Sequence, residues 1–301
     1  MKKLSVNHDF VGIRLDKFLL KHNIGFALAQ KLIRQKQIKV NDKKVPAAHR
    51  LCLGDDVEIY ADLLASSPNG QAKIKKSNPE VLKKIKESII FQDKNLIAIN
   101  KPQGLAVQGG SGINFSVDDA LSFLKFDLEE VPKLVHRLDK DTSGILLIAR
   151  NRVSADLLTD AFRNKTISKV YLALVKGIPS KAEGKIDIAI AKRYHGQEEK
   201  VYPDKDGKEA ITYYKVLESD PDLNCSLLEL RPVTGRTHQL RVHCKEIGHP
   251  IIGDGKYGGK SAFIDGLPDR LCLHAWRITI DDFFGEKLDI KTNKPPFCAL
   301  I

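Results

Sequence analysis

Several protein classes are excluded by what this chain lacks. Its 301 residues include only five cysteines (Cys52, Cys225, Cys244, Cys272 and Cys298), an odd number with no CxxC pair. That pattern argues against a disulfide framework or a thiolate zinc site and predicts small buried apolar side chains instead. No run of about 18 apolar residues occurs, as a membrane-spanning helix would need, and the opening MKKLSVNHDF has no apolar centre of the secretory kind. A soluble, cytoplasmic protein with no membrane partner is expected. Nucleotide-triphosphate machinery is missing as well. HRLD at 136–139 and DFFG at 282–285 each carry one residue too many for the kinase HRD and DFG, and no GxGxxG with a VAIK strand precedes them. In GLAVQGGSG, 104–112, Gly110 stands where a phosphate-binding lysine is required. His238, His243, Cys244 and His249 cluster in sequence, but His238 and His243 are five apart, about 140° around a helix, whereas an HExxH pair shares one face. No metal site is expected.

What the chain does have is positive charge in one place. The net charge is +11, and residues 1–50 hold 12 Lys/Arg against 3 Asp/Glu. Residues 51–88 balance at 6 against 6, which leaves 31 against 29 for the remainder. A basic excess confined to a short N-terminal segment fits attraction to a polyanion, and without a lipid-binding signature nucleic acid is the expected partner. A solvated surface serving solubility is the competing reading.

The length exceeds one usual domain, so two are expected. Residues 12–60 read as a small module: Leu15, Phe18 and Leu19 recur at helical spacing, as do Leu28, Leu32 and Ile33 after a break at Asn23–Gly25. Lys31, Arg34 and Lys36 are left on the polar side of the second helix. IKVNDKKV offers two short strands around an Asn-Asp turn, and a Gly54-Asp55-Asp56 turn precedes the strand VEIY. Residues 61–88 mix Ser, Pro, Asn and Gly with lysines and read as a linker. From residue 89 to 301, strand-like runs (IIF, LIAIN, VYLALVKG, KIDIAI, AITYYKVLE, NCSLLELRP, WRITI) alternate with helix-like runs near 116–125, 153–164 and 237–247. A sheet with helices packed on it follows, in the α+β class.

Three segments carry candidate chemistry. LVHRLDKDTSGILLIAR places His136, Arg137, Asp139 and Asp141 in a loop entering a buried strand, where reactive groups are often displayed. Composition alone reads the same loop as a turn held by Asp and Thr side chains. In TISKVYLALVKG, Tyr171 shares a strand face with Ala173 and Val175 and either reaches a cleft or serves as a core tyrosine. In ELRPVTGRTHQLRVHCKEIGHPIIGDGKYG, a helix starting after Gly235 buries Leu240, Cys244 and Ile247. It turns His238, Arg241 and Lys245 to the adjoining side. Arg241 there is able to hold a carboxylate in a forked ion pair.

Residues 12–60, with RLDKFL, LIRxxxIxVN and GDxVxI in order, resemble the S4 RNA-binding domain. Gly25-Phe26-Ala27 stands where many members have a Ser or Thr cap. HRLDKDTSG, the K-x-Y-x-A-x-V-x-G strand, TGRTHQLRVH followed by GHPI and GD, INKPQGLAV at 99–107 and LHA at 273–275 together resemble the RluA-type pseudouridine synthases. The RluC/RluD group, and RluC within it, is nearest. Gln108 departs from the histidine common there. The resemblance implies a small S4 domain followed by a catalytic domain with a mixed, mostly antiparallel sheet. It also implies isomerisation of uridine to pseudouridine in large-subunit ribosomal RNA or its assembly intermediates, by a monomer. No redox change occurs, so no cofactor is implied.

By the same resemblance Asp139 is the nucleophile, Arg241 rather than Arg236 keeps it ionised, and Tyr171 stacks by the uracil and moves a proton. Asp141 structures the loop. Arg137 takes the place of the base flipped out of the RNA, His136 helps to hold that loop and joins the RNA-binding set with Arg236, and Leu273 packs on the base. Lys31, Arg34 and Lys36 contact RNA from the N-terminal module. The alternative is a non-catalytic S4-type RNA-binding assembly factor.

Overall fold

A computed structural model of the chain describes residues 2–22, 24–60, 78–110, 112–195 and 198–301. It forms two compact units, Met1–Ile74 and Lys75–Ile301. No helix among the described residues is long and apolar enough to cross a membrane.

In the first unit, β1 (Lys2–Ser5), β2 (Ile38–Val40) and β3 (Asp56–Ile59) form an antiparallel sheet in the order β1-β3-β2. Helices α1 (Leu15–Lys21) and α2 (Phe26–Arg34) bury Leu15, Phe18, Leu19, Ala29 and Leu32 with Ile38, Val57 and Ile59. Helix α2 starts at Gly25 with no side-chain cap, as its sequence leads one to expect. Lys31, Arg34 and Lys36 are exposed at its C-terminal end. One expectation is corrected, and one strand joins from outside the expected module. The second strand of IKVNDKKV reduces to a single bridge between Val40 and Lys43, because Asn41 and Asp42 both take left-handed backbone and β2 finds its partner in β3. The sheet also reaches outside the expected 12–60 bounds, since Lys2–Ser5 pairs with Asp56–Ile59.

Of the expected linker, residues 61–77 lie outside the described residues, and 79–87 form a helix, α3 (Pro79–Glu87). Asn78 caps it by accepting from the Val81 N–H, Pro79 occupies the first turn, and Ile85 is fully buried. The second unit continues with β4 (Ile89–Gln92), β5 (Leu96–Lys101), α4 (Val117–Ala120), β6 (Lys133–Leu134), β7 (Ser143–Ala149), α5 (Arg152–Arg163) and β8 (Ile167–Lys176). Then follow β9 (Glu183–Asp187), β10 (Ile190–His195), β11 (Glu198–Pro203), β12 (Ile211–Asp220), β13 (Cys225–Pro232), α6 (Gln239–Glu246), β14 (Leu273–Phe283) and β15 (Glu286–Lys291). The expected strand KIDIAI is two strands, β9 ending at Asp187 and β10 starting at Ile190.

Ten of these strands make one sheet in the order β4-β5-β7-β14-β8-β13-β12-β9, with β6 beside β7 and β15 beside β14. The β10–β11 hairpin stands apart from it. The sheet is mixed and mostly antiparallel, as expected: β7 and β14 alone run parallel among its described pairs. Strands β5 and β7 read as continuous apolar runs because both their faces are covered. Ile97, Ile99, Leu146 and Ile148 pack with α3 and α4, and Leu96, Ala98, Ile145 and Leu147 pack with Ala155 and Leu158 of α5. Cys225, Cys244 and Cys272 are buried in the core as expected, whereas Cys52 is exposed.

Candidate active site

The loop 135–142 is fastened from three sides. Leu138 and Thr142 are buried. Lys101, at the end of β5, is fully buried and donates from Nζ to the carbonyls of Pro102 (3.0 Å), Leu105 (2.9 Å) and Lys140 (3.0 Å). Burial pushes its pKa down to about 8 against the opposing pull of Asp141 and Asp139. The loop then enters β7 at Ser143-Gly144, where Gly144 pairs in parallel with Ala275. Its φ is +108°, and a Cβ there would lie 2.2 Å from the Ala275 carbonyl oxygen. Glycine is the residue that this close backbone approach admits.

Asp139 is thereby delivered to a cleft of about 130 Å³. Asp139 and Arg137 enter from the loop, Tyr171 from β8, Arg236 and Arg241 from the region after β13, and Leu273 from the start of β14. Six of the expected site residues, from four separated segments, thus face one space. Burial first, and the charge of Asp139 second, drive the Tyr171 hydroxyl well above its ordinary value, so it stays a proton donor. Lys169, two residues earlier on the same strand face, also lines the cleft, and burial lowers its pKa.

His136 is not among the lining residues. Its Nε2 accepts a hydrogen bond from the Leu147 N–H (2.8 Å), and its ring stacks on Phe162 with centroids 4.5 Å apart. Burial pushes its pKa down to about 3, so the ring is neutral and acts as an acceptor. It is half-buried, and its partners belong to β7 and α5, which fits the part expected of it in holding the loop. Lys31, Arg34 and Lys36 belong to the first unit and are not part of this cleft.

Arg241 shares the cleft with Asp139, whose charge helps to hold its own, and it has a second carboxylate partner. Its fork closes on Asp254, with Nε at 2.8 Å from Oδ2 and Nη2 at 2.6 Å from Oδ1, and both side chains are buried. The forked geometry is the one expected of an arginine here, and the carboxylate it holds is Asp254. Burial works against the guanidinium, and the Asp254 carboxylate overcomes it and holds the charge. Asp254 is placed by Gly253, whose φ is +75° and whose Cβ would meet the Arg270 backbone at 2.2 Å.

The ring nitrogen that faces Asp139 belongs to His238, with Nε2 3.7 Å from Oδ2. The sequence places His238 inside a helix. It instead precedes α6 with φ 54°, a left-handed conformation uncommon for residues other than glycine. Its Nδ1 lies 2.6 Å from the Tyr257 hydroxyl, and the Tyr257 ring stacks under Arg241 at 5.0 Å. The helix is also buried more widely than the expected stripe of Leu240, Cys244 and Ile247. Gln239, Arg241, Val242 and His243 are buried too, while Ile247 is half-buried. The polar ones are satisfied: Gln239 donates to the Ile211 carbonyl and Thr212 Oγ1 and accepts from Thr234 Oγ1 and the Arg236 N–H, all within 3.0 Å. His243 lies 3.0 Å from Thr212 Oγ1 and 3.1 Å from the Ile188 carbonyl, and His249 lies 2.9 Å from the Lys176 carbonyl.

The chain matches the family model described as RNA pseudouridylate synthase over residues 95–246 and that of the S4 domain over residues 13–57. It is 43% identical over 297 residues to ribosomal large subunit pseudouridine synthase C of Rickettsia bellii, covering 95% of this chain and 96% of that one. Against the protein of the same name from Vibrio vulnificus it is 36% identical, covering 91% and 87%. Among solved structures, human RNA pseudouridylate synthase domain containing 4 superimposes with a TM-score of 0.61 at 31% identity, over 73% of this chain and 93% of that one.

Proposed function

This chain belongs to the RNA pseudouridylate synthase family and isomerises uridine to pseudouridine in RNA, and on that premise we propose that its target is the large-subunit ribosomal RNA and its nucleophile Asp139. The relatives' names support the first part, and the convergence of Asp139, Tyr171, Arg241 and Leu273 on one cleft carries the second. The alternative expected from the sequence, a non-catalytic RNA-binding assembly factor, is set aside by the family match.

The reaction breaks the C1′–N1 bond, turns the base, and joins C1′ to C5, from which a proton leaves. A carboxylate that adds to the flipped nucleotide divides this into easier steps. Leu273 and the Tyr171 ring offer apolar surface to the uracil, and the Tyr171 hydroxyl, kept protonated by burial and by Asp139, is placed to exchange a proton with it. Arg137, exposed at the rim, is suited to the gap left in the RNA. Arg241 keeps the cleft positive while fastened to Asp254. The first unit, spanning 12–60 and its added N-terminal strand, presents Lys31, Arg34 and Lys36 to RNA phosphates, in the cytoplasm where ribosomes form. A monomer is the working unit proposed here.

Release of tritium from 5-labelled uridine in large-subunit RNA tests the assignment. Asp139→Asn should abolish release in a folded protein, and release at the wild-type rate would overturn the role of Asp139.

A further inference from the structure

We infer that His238, with its proton placement set by Tyr257, is a positioning residue that holds one oxygen of Asp139 and leaves the other for the substrate. This rests on Asp139 being the nucleophile. Hydrogen-bond direction supplies the reasoning. The Val201 backbone N–H lies 3.2 Å from the Tyr257 hydroxyl oxygen and is able only to donate. The hydroxyl proton is therefore directed to its other neighbour, Nδ1 of His238, at 2.6 Å. With Nδ1 accepting, the neutral ring carries its proton on Nε2, the nitrogen that faces Asp139 Oδ2 at 3.7 Å. That separation is a small movement from hydrogen-bond length, and closes as substrate fills the cleft.

The backbone supports the same conclusion. His238 takes a left-handed conformation (φ 54°) where Asn or Gly would be easier, and strain of this sort persists where the surroundings over-determine it. Arg241 spends Nε and Nη2 on Asp254 and acts on Asp139 through its charge, whereas His238 is the side chain whose ring nitrogen faces Asp139 Oδ2. The charged and titratable groups facing the imidazole are Asp139 from the loop, Arg241 from α6, and Asp254, Lys256 and Tyr257 from the turn that follows. Burial dominates and lowers its pKa, Asp139 opposes, and Arg241 and Lys256 reinforce. The ring is neutral at pH 7, so its tautomer decides whether Asp139 meets a donor or a lone pair.

Two variants test this against 5-tritium release from large-subunit RNA. His238→Asn accepts left-handed backbone but lacks the ring, and should lower kcat by about 10- to 100-fold, the worth of one hydrogen bond to a charged group, with KM unchanged. Tyr257→Phe keeps the ring under Arg241 and frees the tautomer. Its kcat relative to wild type should fall where the ring is neutral and recover as the pH is lowered far enough to protonate it, because protonation restores a donor at Nε2. A purely structural role would give a ratio that does not vary with pH, and that result, or a loss confined to KM, would overturn the inference. If Asp139→Asn is inactive while both variants match wild type, the His238 assignment alone falls. If Asp139→Asn is active, the nucleophile reading falls first.

Discussion

Removing Asp254 should cost the catalytic unit far more stability than removing an exposed carboxylate. The side chains of Arg241 and Asp254 are 8% and 1% exposed, so Asp254→Ala strands a guanidinium in a dry site with two donors unmet. Breaking a buried pair from one side typically costs about 3–5 kcal/mol. With a urea slope of about 2–3 kcal/mol per molar for a unit of this size, the midpoint should fall by about 1–2.5 M. The chain's single tryptophan, Trp276, lies on β14 of the same unit, so its fluorescence follows that unit's unfolding. Replacing both partners, Arg241→Met with Asp254→Leu, should return most of the lost stability while leaving tritium release abolished, because an apolar pair needs no charge matched. A midpoint shift below about 0.3 M for Asp254→Ala would refute the view that this pair is a buried, mutually dependent unit.

Further consequences are open to measurement. Gly144→Ala, whose Cβ would collide with the Ala275 backbone, should destabilise the unit by more than about 2 kcal/mol or prevent its folding, and a wild-type urea midpoint would contradict the close approach. Stability should fall as pH drops below about 6.5, the ordinary histidine value. The folded pKa values of His136 and His274 are pushed by burial to about 3 and about 4, so unfolded chains bind protons that the folded protein refuses. Urea midpoints at pH 7, 6 and 5 read this directly, and His274→Gln should flatten the slope. Changing Lys31, Arg34 and Lys36 together to Ala should weaken RNA binding and reduce the salt dependence of log K by about one for each phosphate no longer neutralised. A salt slope identical to wild type in a filter-binding titration would separate these residues from RNA.

The legible parts of this molecule are those whose signal is local. Strand alternation, apolar runs and the spacing of Leu15, Phe18 and Leu19 depend on neighbours in the chain, and motif residues such as Asp139, Tyr171, Arg241 and Leu273 do converge on one cleft. Partner choice was not legible. Arg241 and Asp254 are 13 residues apart across a turn, and Lys101 reaches the Lys140 carbonyl 39 residues away, distances over which no periodicity operates. His136 lies beside an arginine that does line the cleft, and its ring is held by Leu147 and Phe162, 11 and 26 residues further along the chain. Helix α3 was hidden because its apolar side, Val81, Leu82 and Ile85, is short and set among lysines. Its Asn78-Pro79 start was the signal that could have revealed it.

The parallel contact of β7 with β14 consists of two residue pairs, His274 with Ser143 and Ala275 with Gly144, and it is the seam of the ten-stranded sheet. On one side lie β4, β5, β6 and β7 with the Asp139 loop; on the other lie Tyr171, Leu273 and the segment bearing His238 and Arg241. The cleft straddles that seam, so neither half owns a complete site. Any twist of one half against the other is translated into a change of spacing between Asp139 and Tyr171. Competence then belongs to the joined sheet, and a chain holding either half alone would be chemically silent.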